Sequence, residues 1–107
     1  MIIMQGDAYS IPIQIETESG IADATTFSDV EIVIGTLAKK LSTEEILYDS
    51  AREAFLFPIK QEESFAMRRA IQPAQVRVLT KSGEVIGVPL GDINIDESLS
   101  KELLQVD

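Results

Sequence analysis

Asp92-Ile93-Asn94-Ile95-Asp96 is the stretch whose residue types and spacing come nearest to a metal site, because Asp-x-Asn-x-Asp opens the calcium loop of an EF-hand. That loop requires glycine at its sixth position and glutamate at its twelfth, where this chain carries Glu97 and Leu103. Ile93 and Ile95 alternate with the polar residues as a strand would. The favoured reading is therefore a solvated strand face, with no metal site assigned. A calcium- or ligand-binding module that uses Asp92, Asn94, Asp96 and Glu97 is the alternative function.

Acid-base chemistry has few other candidates. Glu44-Glu45 and Glu62-Glu63 pair two carboxyls, as glycoside hydrolysis requires, but there is no tryptophan to stack a sugar. Helix N-terminal or solvated acids explain them more simply. The chain has no histidine, which removes the usual neutral-pH base, the usual partner of a nucleophilic serine and the commonest metal ligand. It has no cysteine either, so disulfides, thiolate metal sites and cysteine nucleophiles are excluded. A lysine-activated serine remains formally open, yet the serines sit in turn-like contexts that account for them. Gly83, Gly87 and Gly91 lack the helix start and lysine of a phosphate loop. No catalytic, cofactor-binding or metal-ligating residue is assigned, and the chain is read as a non-enzyme.

Charge narrows the partners. Nine Lys and Arg against eighteen Asp and Glu give a formal charge of −9, which repels phosphate backbones and anionic lipid alike. Nucleic acid and membrane are not expected partners. Residues 1–38 hold six acids and no base, residues 39–83 six acids and eight bases, and residues 84–107 six acids and one base. Acidic ends thus flank a slightly basic middle in which Lys39-Lys40, Arg68-Arg69 and Arg77 form a candidate basic patch. A solvated surface is the simpler account of it. No apolar run approaches the roughly 20 residues of a membrane span, and Met1-Ile2-Ile3-Met4 is followed at once by Gln5-Gly6-Asp7, so an unexported protein is expected.

The elements that would position these residues read mostly as strands. After a short strand near Ile2–Gln5, Ile11, Ile13 and Ile15 alternate with polar residues or Pro12, which marks an edge strand or a bulge. Residues 17–29 are rich in turn formers and predict a long surface connection, with Ile21 and Phe27 as core plugs. Val30, Ile32 and Ile34 begin a strand running to about Leu37. A strand near 45–49, a turn at 49–53 and a strand through Phe55, Phe57 and Ile59 follow, with Pro58 again at an edge or on the outward side. Residues 61–67 predict a short helical crossover anchored by Phe65. Ala74, Val76 and Val78, then a tight turn at 81–84, then Val85–Leu90 predict a hairpin. Ile86, Val88 and Leu90 share one parity while Ile93 and Ile95 share the other, so a bulge belongs near Gly91. Residues 98–107 predict a short helix or a flexible arm.

A chain of 107 residues of which 45% are apolar suits one domain with one core. About seven short strands with frequent turns predict an all-β fold, a single immunoglobulin-like Greek-key β-sandwich over residues 1–107, with an open barrel as runner-up.

Gln5-Gly6-Asp7-Ala8-Tyr9-Ser10-Ile11-Pro12-Ile13 resembles the opening of small structural proteins of tailed phages and prophages, especially the N-terminal domain of upper baseplate proteins. Gln61-Glu62-Glu63-Ser64-Phe65 resembles the crossover of such domains. Ala74–Val78 with Ser82–Gly87 resembles their closing hairpin. The likeness spans most of the chain through short, degenerate motifs, and departs from the family where no attachment domain follows the sandwich. It implies an immunoglobulin-like building block of a virion tail or baseplate, without catalytic residues or cofactor. The expected partners are other virion or structural proteins, with a homo-oligomer as a further expectation. The expected location is the cytoplasm of a bacterial host or the virion.

Overall fold

The computed structural model describes residues 1–104 and is all-β apart from one short helix. The elements in chain order are β1 (Ile2–Met4), β2 (Tyr9–Ile13), β3 (Glu16–Thr17), β4 (Gly20–Ile21), β5 (Asp29–Ile34), β6 (Leu37–Lys40), β7 (Leu47–Asp49), β8 (Ala54–Ile59), α1 (Gln61–Ala66), β9 (Ile71–Leu79) and β10 (Val85–Asp96). A five-stranded sheet runs β1-β10-β9-β5-β6, a three-stranded sheet β2-β8-β7, and β3 pairs with β4 alone. All pairs are antiparallel except β1 with β10, where Ile2 stands beside Asn94 and Met4 beside Asp96.

One core lies between the two larger sheets. Val30, Ile32 and Ile34 of β5, Val76 and Val78 of β9, and Ile93 and Ile95 of β10 meet Ile11 of β2 and Phe55, Phe57 and Ile59 of β8. Each set follows the two-residue period of a strand with one face turned inward. Tyr48 of β7 closes the Phe55 side with an edge-on ring contact at 5.1 Å.

Both prolines read as edge markers have an edge to occupy. β2 is the outer strand of its sheet, so Pro12 needs no further partner. Pro58 is on the central strand β8, but β7 pairs only with Ala54–Leu56, which leaves the Pro58 side open. Its carbonyl accepts instead from the Lys39 ammonium at 2.6 Å.

Several elements differ from expectation. Among the described residues ten strands form where about seven were expected, partly because the β3–β4 hairpin occupies the start of the predicted connection 17–29. Phe27 does pack on the core, but Ile21 is exposed and Ala22 is the buried residue. The strand predicted from Val30 to Leu37 is two strands, because Gly35, at φ +60°, opens a two-residue turn between Ile34 and Leu37. Left-handed backbone of that kind is what glycine permits without a Cβ penalty. Residues 98–104 form no helix. They run to α1, where the buried Gln61 amide donates to the Leu104 carbonyl and accepts from its N–H, both at 2.7 Å. The rest of the predicted tail, 105–107, lies outside the described residues.

The predicted bulge is present. The β9–β10 register shifts between Pro89 and Gly91, and Gly91 takes φ +87°. A non-glycine residue there would be strained.

Candidate protein-interaction surface

The backbone of β9 fixes which way β10 presents its hydrogen-bonding groups. Ser28 N–H donates to Leu79 C=O on the β5 side, and Thr80 N–H donates to Glu84 C=O on the β10 side. Since successive residues of a strand point their N–H and C=O to opposite edges, Val78 and Val76 bond across to Ile86 and Val88. The main-chain groups of Val85, Gly87 and Pro89 therefore point away from β9. β1 lies on that side of β10 only from Asn94 to Asp96, so among the described residues Val85–Pro89 is an open strand edge. Pro89, without an N–H, stands on this open edge and shortens the run of donors there, a common way to blunt an edge.

The face beside that edge is apolar and uncovered. Ile86, Val88 and Leu90 were expected to share a face, and they do line one groove, yet they remain 44%, 52% and 40% exposed. Opposite them the groove is walled by Ile15 and Phe27, with Val76 and Val78 at its floor, and its volume is about 290 Å³. The five-stranded sheet extends here beyond what the β2-β8-β7 sheet and the 14–17 segment cover. Glu16 supplies the charge in the lining, and no lysine or arginine borders it.

The basic residues do not gather into one patch. Lys39 faces inward across from Ile32 and is 6% exposed, its ammonium 2.9 Å from Glu63 and 5.4 Å from the Phe57 ring centre. Arg77 pairs with Glu31 and Arg69 with Glu97. Lys40 and Arg77 do share a shallow depression, but with Asp29 and Glu31.

Nor do the acidic candidates assemble an acid-base pair. Burial opposes ionisation of Glu63, but hydrogen bonds from Lys39 and from Lys60 N–H outweigh it and hold the carboxyl below its ordinary range. Glu45 is likewise held low, first by the Thr43 hydroxyl at 2.6 Å and then by Lys40 N–H. A general acid near neutral pH needs the opposite shift. Glu62 and Glu63 occupy the first turn of α1, and Glu63 caps it through Lys60 N–H at 2.9 Å.

Asp92, Asn94 and Asp96 alternate along the exposed face of β10, about 6.7 Å apart by strand geometry. Calcium ligands must converge to within about 2.3–2.6 Å of one ion, and this spacing spreads them instead. Glu97 is engaged by Arg69 and Lys101. Among the described residues, no group of three or more His, Cys, Asp or Glu is placed to hold a metal ion, and no helix is long and apolar enough to cross a membrane.

Two contacts were not foreseen. The inward Lys39 could have been read from the sequence had Gly35-Thr36 been recognised as a two-residue turn, which sets Lys39 opposite Ile32. The Gln61–Leu104 pairing carries no local signal. The chain matches no protein-family model, no curated protein and no solved structure.

Proposed function

We propose that this chain is a non-catalytic structural or adaptor module of a phage or prophage tail or baseplate particle, built as an immunoglobulin-like Greek-key sandwich and acting through protein–protein assembly. The observation that carries the assembly reading is the uncovered apolar face of Ile86, Val88 and Leu90 beside an open strand edge. Contiguous apolar surface of this kind is a recurrent mark of protein interaction. The resemblance of Gln5–Ile13, Gln61–Phe65 and the β9–β10 hairpin to baseplate proteins supports the choice of particle.

The test is sedimentation of particles from the encoding bacterium after prophage induction. The chain is expected to travel with tail particles in a density gradient and to stay with them through a salt wash. Its recovery only in the unsedimented fraction would end the phage reading.

A further inference from the structure

The geometry points to the open β10 edge and its groove as a site that adds one extended strand from a different protein, with apolar side chains at alternate positions and lysine or arginine at its ends. This deepens the assembly reading above and rests on it. Three features specify the occupant. Val85 and Gly87 each offer an outward N–H and C=O, and Pro89 a C=O, which is the bonding pattern of a strand and not of a helix. Alternate side chains of a strand laid there face the groove between Ile86, Val88 and Leu90 on one wall and Ile15 and Phe27 on the other.

Charge supplies the third feature. Glu84 stands at one end of the open segment and Glu16 lies along the groove, while Asp92, at the other end, is on the outer face of the sheet. Arg77 does not counter these acids, being on the other face of the sheet and paired with Glu31, and Lys81, in the turn beside Glu84, forms no ion pair with it, the Glu84 carboxylate accepting from Ser82 instead. Basic ends on the incoming strand meet this rim. A second copy of the chain is the poorer occupant, because two bodies of charge −9 repel each other. The missing N–H of Pro89 confines the new ladder to its Val85–Gly87 end.

The experiment uses the isotope-labelled whole chain and two short capped peptides of alternating valine and threonine, one with lysine at both ends and one with glutamate. The lysine-ended peptide should shift the amide signals of Val85–Val88 and slow exchange of the Val85 and Gly87 amides. Val88→Lys should weaken that binding about tenfold or more, whereas Ile71→Lys, at an exposed position elsewhere on β9, should not. Equal binding of the glutamate-ended peptide, no shift on β10, or indifference to Val88→Lys would overturn the site. If the same amides shift on concentrating the chain alone, the occupant is a second copy and the inference also fails. Particle sedimentation separates the two readings: a chain that travels with particles yet ignores the peptides assembles by another surface, and one that binds the peptides but never sediments keeps the site and loses the phage role.

Discussion

The Lys39 ammonium lies 2.9 Å from a Glu63 carboxylate oxygen, joining β6 to α1 across the rim of the core. Both groups are largely withdrawn from water, and Lys39 completes its bonding at Pro58 C=O. Removing one member of such a pair leaves an uncompensated charge, whereas replacing both removes the desolvation cost as well. Glu63→Ala should therefore destabilise the fold by roughly 3 kcal/mol, and Lys39→Met with Glu63→Leu by much less. Urea unfolding of the singles and the double gives the coupling directly. Purely additive losses would show that the pair is not a unit.

The same carboxylate gives the stability a pH dependence, together with Asp29. Burial opposes ionisation of Asp29 as well, but Ser42, through its hydroxyl and N–H, and Val30 N–H hold its carboxyl below the usual range. A depressed folded-state value means that the stabilisation is complete above the unfolded carboxyl range, near pH 4, and is lost as pH falls through the lower folded values. Melting temperatures taken from pH 7 down to pH 3 should fall, and fall less for Glu63→Gln and Asp29→Asn. Parallel curves for wild type and variants would remove these two groups from the acid response.

Gly6 should tolerate no side chain. At φ +94°, a Cβ on it would come within 2.8 Å of the Phe65 ring, and its N–H donates to the buried Ser64 hydroxyl. Gly20, at φ +119°, has nothing within 4 Å of such a Cβ. Gly6→Ala should lower stability by about 2 kcal/mol or more, and Gly20→Ala by about 1 kcal/mol from backbone strain alone. Adding Phe65→Leu to Gly6→Ala should recover part of the difference in thermal melts.

Gln61→Leu should free the tail. Its side-chain amide now pairs with both main-chain groups of Leu104, so the Leu104 amide should exchange slowly in the wild type and at the unprotected rate in the variant. Global stability should change by less than about 1 kcal/mol, since one exposed segment is released. Unaltered exchange at Leu104 would mean that the clasp does not hold in solution.

Pro89→Val should make the open edge stickier. The substitution restores an outward N–H next to those of Val85 and Gly87, completing a longer run of donors. Light scattering across protein and salt concentrations should show a larger mass than wild type. An unchanged mass would show that Pro89 is not what limits pairing there.

How much of this was legible depends on whether the signal was local. Val30, Ile32, Ile34, Phe55, Phe57 and Ile59 declare their faces by alternation, and all are buried. The parity change from Val88 to Ile93 likewise required the slip that the register shows at Gly91. Parity says which residues share a face, however, and not whether another layer reaches it. Ile86, Val88 and Leu90 share the face that their common parity predicts, yet stay partly exposed because the second sheet stops short of them. Lys39 misled in the other direction, because a charged side chain reads as solvated until its cross-strand neighbour Ile32 is known. The Gln61 clasp joins positions separated by the whole β9–β10 hairpin, a distance that no window of residues spans.

The parallel seat of β1 against β10 also sets an order on folding. Ile2 has its ladder partner at Asn94, so β1 has no place to dock until β10, far along the chain, has been made. Ile3, which ends fully buried, has its ladder partner at Ile95 and lacks it until then. Pairing between strands so distant in sequence is a non-local contact of the kind that slows folding. The docking of β1 on β10 should therefore be a late step in the folding of this domain.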